Sequence, residues 1–453
     1  MAATAETLRF VTQRDLDTMP ELHRLPPWRR HAMRVVSHVL PFRTNRYVVE
    51  ELIDWDRIPD DPIFQLTFPQ PTMLSPHAFR AVERAMGSGD TAALGAAVER
   101  VRRGLNPHPE GQVTHNVPAL DGVPVPGVQH KYAQTCLVFP SSGQTCHAYC
   151  TYCFRWAQFV GMPDLRFATD REQSFLRYLA QHEEVTDVLL TGGDPMVMRA
   201  EVLARYIEPL LRPELAHVQT IRIGTKMLGY WPYRLLTDPD ADDLLALLER
   251  VTAAGKHLAV MAHFSHWREL ATPAVEMAIA RLKDAGAVIR TQAPLIRHVN
   301  DDAATWATMW REQVRLGLVP YYMFVERDTG ANHHFEVPLA RALEIYTAAT
   351  IAGSGLARSA RGPVMSAFPG KVVVDGVAEI GGRRRFVLSL LQARDPSWCK
   401  RPFFAEYDER ATWLDDLRPA FGERSFFFEN ETAAPGADDT ALQALLPAAA
   451  AAA

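Results

Sequence analysis

The chain has 453 residues, of which 47% are hydrophobic and 22% are charged, which is typical of a soluble globular protein with a sizeable core. Its formal net charge is only −5, and its lysines and arginines form no long run, so we expect no nucleic-acid partner. No apolar segment approaches the roughly 20 residues that span a bilayer, so we also expect no membrane association.

The first ten residues, MAATAETLRF, have neither the basic start nor the apolar block of a secretory signal. We therefore expect a cytoplasmic protein, in a reducing environment where disulfides are rare. Residues 1–125 mix helical patterns with a proline-rich passage. We predict a mainly helical N-terminal extension over this region.

Six short apolar segments rich in β-forming residues follow along the chain. They are QTCLVFP, VTDVLLTGGD, VQTIRIGT, KHLAVMAHF, AVIRTQAPL and LVPYYMFV. Helical patterns such as ADDLLALLERVTAAG and ATPAVEMAIARLKDAG lie between them and end at a glycine, where a left-handed helix cap belongs. This alternation predicts an α/β fold with parallel strands and right-handed crossovers. We predict a partial (β/α)6 TIM-type barrel over residues 126–345, with its active site at the carboxyl ends of the strands.

The part of the chain after this region is shorter and less regular. KVVVDGVAEIGGRRRFVLSLLQA is typical of two strands around a Gly-Gly turn, so we predict a β-containing C-terminal extension over residues 346–430. Residues 431–453 have a low-complexity, alanine-rich sequence. We expect this tail to fray.

Three of the five cysteines lie within eight residues, in TCHAYCTYCFRW. Cys146, Cys150 and Cys153 have the spacing C-x3-C-x2-C, and small buried thiols without a ligand are one interpretation. A structural zinc site is a second interpretation, but it needs a fourth ligand, usually from another C-x2-C pair, which the sequence lacks. Three thiolates on a cluster of four irons leave one iron open to bind a substrate or cofactor. We predict that these three cysteines ligate a [4Fe–4S] cluster.

The cysteine loop after the first predicted strand resembles the hallmark of the radical S-adenosylmethionine (radical SAM) enzymes. The motifs HKY, CFR, LLTGGDP, RIGTK, HFSH, TQAPLIRHVND, PYYMF and HHFEVP, between His130 and Lys371, resemble the lysine 2,3-aminomutase branch in order and spacing. The resemblance implies that the open iron binds S-adenosylmethionine, which is cleaved to a 5′-deoxyadenosyl radical. It also implies an isomerase, an intramolecular aminotransferase that uses pyridoxal 5′-phosphate (PLP) to move an amino group between neighbouring carbons of an amino acid.

The resemblance also nominates residues that bind S-adenosylmethionine. Gly192, Gly193 and Asp194 in TGGD match a glycine-rich motif whose backbone holds the amino end of that cofactor. His263 and Gln292 end two other predicted strands, so we place them at the same site. A tight turn is the alternative interpretation of the glycines, and a satisfied polar side chain is the alternative for His263 and Gln292.

Three basic residues are nominated for PLP and the substrate. Lys371, in FPGKVVVDG, matches the lysine that forms a Schiff base with PLP, and Lys131, in HKY, is the candidate for the PLP phosphate. Arg155 matches the arginine that holds the substrate carboxylate. We expect nearby arginines, at Arg358, at Arg361 and in the GGRRR turn, to lower the pKa of Lys371. An exposed turn lysine is the alternative.

The sequence differs from the lysine-specific members of the family at the positions that bind the distal ammonium group of the substrate. They place a lone acid after the YY strand, whereas this chain has Glu326, Arg327 and Asp328 there. An arginine repels an ammonium group by about 1 kcal/mol or more at contact in a partly screened site. We therefore expect an amino acid substrate other than free lysine.

Two other functions stay open at this point. One is a PLP-independent radical SAM enzyme that acts on another small molecule, and the other is a non-catalytic module with a structural metal site. The partners that the resemblance implies are a small amino acid and a reductant such as flavodoxin or ferredoxin, and it leaves a homo-oligomer open.

Overall fold

The computed structural model of the protein describes residues 6–106 and 116–430, so the predicted tail over 431–453 lies outside the described residues. Within these ranges, four α-helices precede the main sheet: Pro27–Val39, Pro62–Thr67, Pro76–Gly87 and Thr91–Gly104. Asp61, Ser75 and Asp90 cap three of them, because each side chain accepts hydrogen bonds from backbone N–H groups of the first turn. Two short antiparallel pairs are also present here: β1 (Phe10–Thr12) with β2 (Arg43–Asn45), and β3 (Ala119–Leu120) with β4 (Val123–Pro124).

An eleven-stranded sheet forms the centre of the protein. Its strands are β5 (Val128–Tyr132), β6 (Thr135–Val138), β7 (Asp187–Leu190), β8 (Thr220–Thr225), β9 (His257–His263), β10 (Val288–Leu295), β11 (Val319–Val325), β12 (Arg361–Ser366), β13 (Gly370–Ile380), β14 (Arg383–Ala393) and β15 (Phe403–Glu406). Their order across the sheet is the order along the chain, with β5 and β15 at the two edges. Strands β6 to β12 are parallel, whereas β5 and β13 to β15 pair antiparallel.

All six predicted parallel strands are present, as β6 to β11. The prediction of six units was one strand short, because β12 is a seventh parallel strand that pairs with β11. Its segment, RGPVMS, contains a glycine and a proline, which are depleted in strands, so its sequence gave no strand signal. The two predicted strands around the Gly-Gly turn are confirmed as β13 and β14, and Gly381 and Gly382 have φ angles of 60° and 71°.

Helices connect the strands and pack on the sheet. They are Glu172–Ala180, Ala200–Ile207, Met227–Tyr230, Ala241–Ala253, Pro273–Asp284, Ala303–Arg315, Asn332–Phe335 and Leu339–Ala352, and Phe427–Asn430 ends the described chain. Gly255 and Gly286, just after two of these helices, have φ angles of 77° and 81°, which confirms the predicted left-handed positions. Within the two described ranges, no helix is both long enough and apolar enough to cross a bilayer.

The core of the sheet follows from the alternation of side chains along each strand. In β8, Ile221 and Ile223 are fully buried, while Arg222 between them points to the other face. Leu244 and Leu248 of helix Ala241–Ala253 are likewise fully buried in the same cluster. Each such side chain contributes about 1.5–3 kcal/mol when it leaves water. In β8 the opposite face therefore carries a charged residue, Arg222.

Candidate active site

The cysteine loop follows β6 and is held by segments from both sides. The Asp194 N–H donates to the Thr145 carbonyl at 2.7 Å, which ties the loop to the segment after β7. On the other side, the Tyr149 N–H donates to the Arg43 carbonyl at 2.7 Å, and the Arg43 guanidinium donates to the Thr145 hydroxyl and the Cys146 carbonyl. The N-terminal extension therefore supports the loop directly, a contact that the sequence did not predict.

The spacing of the three thiols discriminates between the two predicted metal sites. In a tetrahedral zinc site with Zn–S bonds of about 2.3 Å, the sulfur atoms lie roughly 3.8 Å apart. Among the described residues, the one group of three or more potential ligands within 4.8 Å of one another is His130, His182 and Glu184, so the cysteines form no such group. At least two of the three sulfur atoms therefore lie farther apart than the ligands of one tetrahedral zinc ion.

Burial of the three thiols favours their uncharged form unless a cation binds them. Burial raises the pKa of Cys146, Cys150 and Cys153, and it raises that of Cys153 to about 12. Without a ligand the three groups are therefore neutral thiols at pH 7. A bound metal cation would supply the positive charge that holds them as thiolates, because metal binding and thiol deprotonation are coupled.

Gly192 and Gly193 lie after β7 and pack against the cysteine loop. A Cβ atom on Gly192, whose φ is 142°, would lie 2.1 Å from the Gln144 amide nitrogen, and one on Gly193 would lie 2.4 Å from the Thr145 carbonyl. Gly193 thus requires glycine because the backbone of the cysteine loop approaches too closely for a side chain, and Gly192 requires it because its φ angle is one that other residues rarely adopt. This packing brings the TGGD segment beside the three cysteines, as the resemblance implied.

Asp194 is buried and linked to the next strand. Its carboxylate accepts hydrogen bonds from the Thr225 hydroxyl at 2.7 Å and from the Lys226 N–H at 2.9 Å. Burial raises the pKa of Asp194 to about 6, and these hydrogen bonds oppose the shift. The side chain of Asp194, in the segment whose backbone was predicted to hold S-adenosylmethionine, therefore joins the ends of β7 and β8.

Arg155 lies between the cysteines and Gln144. Its Nη2 donates to the Gln144 side-chain oxygen at 3.2 Å, and its guanidinium lies 4.5 Å from the centre of the Phe139 ring. Burial lowers the pKa of Arg155 to about 10, so it remains a cation at neutral pH. Its Nε atom is buried without a hydrogen-bond partner. An orphaned buried donor costs about 1–3 kcal/mol, and this one fits a carboxylate ligand.

His263 and Gln292 occupy adjacent positions on β9 and β10, where they pair in register. The His263 Nδ1 atom lies 3.2 Å from the hydroxyl of Tyr152, a residue of the cysteine loop. Burial, with a contribution from the Lys226 charge, lowers the pKa of His263 to about 3, so the imidazole is neutral. Of the predicted pair, His263 therefore contacts the cysteine loop through Tyr152, and Gln292 lies beside it on the next strand.

Lys131 and Lys371, which are 240 positions apart in the sequence, lie beside the same ring. Their ammonium nitrogens are 5.4 Å and 5.6 Å from the centre of the Tyr132 ring. Lys371 also donates to the Gln392 side-chain oxygen at 2.9 Å, and Lys131 donates to the Ala367 carbonyl at 2.6 Å. The structure thus brings together the two lysines that the sequence nominated for one cofactor.

Both lysines have pKa values well below the usual value. Burial lowers the pKa of Lys371 to about 8, with further lowering by Arg222 and Arg361. Burial lowers the pKa of Lys131 to about 7, and Arg394, Arg327 and Lys371 add to that shift. Of the arginines expected from the sequence to act on Lys371, Arg361 does so. Arg222 was not expected, because its position on β8 is remote in sequence.

Glu326 and Arg327 follow β11 and lie between the two groups of predicted residues. Burial raises the pKa of Glu326 well above its usual range, although the Arg327 charge opposes the shift, and the Glu326 Oε1 has no hydrogen-bond partner. The Arg327 guanidinium lies 5.6 Å from the centre of the Phe154 ring, next to Cys153, and its charge also lowers the pKa of Lys131. The lysine pair and the cysteine loop are therefore connected through this segment.

Sequence reasoning missed several residues that hold the cysteine loop. The buried Asn45 side chain donates to the carbonyls of His147 and Tyr230, at 3.0 Å and 2.9 Å. The buried Lys226 forms an ion pair with Glu269 at 2.5 Å. Lys226 lies in the quoted RIGTK motif, but no sequence signal marked Asn45, because its partners are more than 100 positions away.

The sequence and the structure were compared with those of known proteins to identify the family of this chain. No protein-family model matches the chain. A protein named "Putative L-lysine 2,3-aminomutase" from Aquifex aeolicus (strain VF5) is 30% identical over 403 residues, which are 89% of this chain and 94% of that relative. The L-lysine 2,3-aminomutase of Fusobacterium nucleatum is 29% identical over 222 residues, 49% of each chain. The glutamate 2,3-aminomutase of Clostridioides difficile (strain 630) is 28% identical over 200 residues, 44% of each chain.

These last two matches each span less than half of the relative. Among solved structures, a radical SAM methyltransferase from Sphaerobacter thermophilus is similar over 50% of this chain and 66% of its own, with a TM-score of 0.34 and 16% identity. The similarity to the Aquifex protein, in contrast, extends along nearly the whole of both chains. The protein therefore belongs to the lysine 2,3-aminomutase family of radical SAM enzymes.

Proposed function

We propose that the protein is a 2,3-aminomutase that uses a [4Fe–4S] cluster, S-adenosylmethionine and PLP, and that its substrate is an α-amino acid other than free lysine. The observation that carries the proposal is the pairing of Lys131 and Lys371 over one aromatic ring, connected to the cysteine loop through Arg327. We also propose that the parallel strands over residues 126–345 curve into a partial barrel. In that fold the C-terminal extension, which begins near residue 346, would contribute Lys371 to the site.

Lys371 has the properties of a residue that binds PLP covalently. With a pKa of about 8, roughly a tenth of its side chains are neutral at pH 7, against well under a thousandth for an ordinary lysine. The neutral amine is the nucleophile, so this depression makes Lys371 reactive near physiological pH. The flanking Tyr322 and Tyr132 rings, at 5.0 Å and 5.6 Å from its nitrogen, offer flat surfaces beside a planar cofactor.

Lys131 is the residue that we propose for the PLP phosphate. Arg394 and Arg327 also act electrostatically on Lys131, so it lies in a positively charged part of the interior. A dianionic phosphate in this place would restore the ammonium form of Lys131 and balance the surrounding charge. In this proposal Lys131 would bind the phosphate and Lys371 the aldehyde carbon of one cofactor beside the Tyr132 ring.

Arg155 would hold the α-carboxylate of the substrate. Its buried, unpartnered Nε and its planar fork suit a two-pronged bond to a carboxylate, and its position beside the cysteines keeps that carboxylate near the cluster. When bound, the cluster supplies the electron that cleaves S-adenosylmethionine, and PLP supplies the π-system through which nitrogen migrates. The chain's own part would be to orient the substrate and keep water from the radical; Phe139 beside Arg155 and Tyr152 beside His263 are both buried.

The proposal is tested by anaerobic reconstitution with iron and sulfide, followed by addition of S-adenosylmethionine, PLP and a panel of α-amino acids. We expect β-amino products that require all three cofactors. A flavodoxin or a ferredoxin is the proposed electron donor, with dithionite as the chemical substitute. Cleavage of S-adenosylmethionine with no PLP bound to the protein would instead support a PLP-independent radical SAM enzyme. A protein that never binds an iron–sulfur cluster would contradict both.

A further inference from the structure

The sulfur atom of Cys150 has a tyrosine hydroxyl as a hydrogen-bond partner. The Tyr230 hydroxyl lies 3.1 Å from the Cys150 Sγ, and Tyr230 is only 1% exposed at the end of the short helix after β8. A cysteine that ligates iron is a thiolate and carries no proton. The phenol must therefore be the donor and the sulfur the acceptor, since phenols are protonated at neutral pH.

The position of Tyr230 relative to the cysteine loop is fixed by a second contact. Asn45 donates one hydrogen bond to the Tyr230 carbonyl and another to the carbonyl of His147, which follows Cys146. Asn45 is fully buried, and its side-chain oxygen, Oδ1, accepts from the Val48 N–H at 3.0 Å. One rigid side chain therefore joins the backbone of Tyr230 to the backbone of the loop.

The Tyr230 ring is held from its face as well. The Lys226 ammonium lies 4.6 Å from the centre of that ring, and Glu269 fixes the ammonium at 2.5 Å. Tyr152, the other tyrosine near this sulfur, has its hydroxyl 3.1 Å from the Ser265 hydroxyl and 3.2 Å from the His263 Nδ1. Tyr152 also hydrogen-bonds to the Cys150 sulfur, so Tyr230, at 3.1 Å, is one of two tyrosines whose hydroxyls act on it.

We infer that Tyr230 raises the reduction potential of the cluster by donating a hydrogen bond to the Cys150 thiolate. The inference rests on the proposed ligation of a cluster by the three cysteines. Reduction adds one negative charge, which is spread over the iron and sulfur atoms. A hydrogen-bond donor stabilises the more negative, reduced state more than the oxidised state, so the potential becomes less negative. Tyr230 thus makes the cluster easier for its donor protein to reduce.

The test is a redox titration of the reconstituted full-length protein and two variants, followed by the electron paramagnetic resonance signal of the reduced cluster. Tyr230→Phe keeps the ring and removes the hydroxyl. Tyr47→Phe is the matched control, because it removes another buried tyrosine hydroxyl, one that bonds Thr272 at 2.8 Å. We expect a more negative midpoint potential in Tyr230→Phe and an unchanged one in Tyr47→Phe, at equal iron and sulfide content. Equal potentials in all three proteins would overturn the inference.

A second measurement does not depend on the folding of a variant. In wild-type protein exchanged into deuterium oxide, electron–nuclear double resonance of the reduced cluster should detect an exchangeable deuteron coupled to it. A cluster without such a deuteron would overturn the inference while leaving the proposed function intact. A wild-type protein that forms no cluster would overturn the proposed ligation itself, and the inference with it.

Discussion

Lys371 and Arg361 lie over the same aromatic ring, that of Tyr322, with the Lys371 nitrogen 5.0 Å and the Arg361 guanidinium 5.8 Å from its centre. Two positive charges in so small a partly buried space disfavour the ammonium form of the lysine. Burial is the larger cause of the shift, and Arg222 and Arg361 add to it, which together bring the pKa of Lys371 to about 8. Removal of the Arg361 charge should therefore raise the pKa of Lys371.

We expect the capture of added PLP by apo-protein to increase with pH through about 8, because Lys371 is an unreactive ammonium below its pKa and a neutral amine above it. Arg361→Met removes a positive charge, so the midpoint should move to higher pH. It should stay below the ordinary lysine value, because burial remains. The absorbance of the protein-bound cofactor at a series of pH values gives the midpoint for the wild-type protein and for Arg361→Met. A midpoint that does not move would exclude Arg361 as a cause.

Borohydride reduction and peptide mass mapping should place a pyridoxyl group on Lys371. Lys371→Ala should lose this label. The control variant Lys256→Ala should keep it, because the Lys256 ammonium donates to the Leu215 carbonyl at 3.0 Å, away from the proposed cofactor site. A label on Lys131 or Lys226 would show that the lysine was assigned wrongly. A protein with a full cluster and no label would favour the PLP-independent enzyme.

Replacing any one of Cys146, Cys150 and Cys153 by Ala should remove the brown chromophore and the cleavage of S-adenosylmethionine, because the cluster then loses one of three protein ligands. Cys399→Ala is the control, since Cys399 lies in the C-terminal extension, next to the short helix after β14. It should retain iron, colour and cleavage. Retained cleavage in a variant of the cysteine loop would contradict the ligand assignment.

Arg155→Lys keeps the charge but loses the planar fork that suits a carboxylate. Hydrogen bonds to charged groups contribute about 1.5–3 kcal/mol, so amino acid turnover should fall by roughly 10-fold to 100-fold. Cleavage of S-adenosylmethionine without substrate turnover should survive, because the cysteines are untouched. The two rates are measured in the same reaction, as β-amino product and as 5′-deoxyadenosine. An equal loss of both would instead assign Arg155 to the assembly of the cluster.

Gly193→Ala should reduce the iron content and the affinity for S-adenosylmethionine, because its Cβ would lie 2.4 Å from the Thr145 carbonyl and push the two loops apart. Gly376→Ala is the matched control, because a Cβ there has no other atom within 4 Å. Iron analysis and equilibrium binding of S-adenosylmethionine measure the two effects. Wild-type values for Gly193→Ala would mean that the TGGD segment can move without harm to the site.

The sequence predicted the parts of this structure that depend on local pattern. Six strands, their alternation with helices and the Gly-Gly hairpin all follow from periodicity and turn residues within short windows. The contacts that hold the site depend on long-range packing instead. Asn45 lies 185 positions from Tyr230, and the pairing of Lys131 with Lys371 arises only when the C-terminal hairpin adds to the sheet. Strand β12 was missed because its proline and glycine oppose the local strand signal.

The last prediction concerns the distal end of the substrate. Arg327 lies beside Phe154 of the cysteine loop and acts electrostatically on Lys131, so a substrate side chain between the two groups of residues would approach its guanidinium. Repulsion of about 1 kcal/mol or more lowers the turnover of free lysine by roughly fivefold or more, relative to norleucine, which has a similar chain without the charge.

Arg327→Gln should remove this difference, because glutamine keeps a polar side chain and has no charge. The ratio of turnover for lysine and norleucine should therefore increase roughly fivefold or more in the variant, while norleucine turnover itself changes little. Norleucine serves as the internal control, since any general damage to the site lowers both rates. Chromatography of the β-amino products gives the ratio. If wild-type protein converts lysine as fast as norleucine, Arg327 does not face the distal end of the substrate.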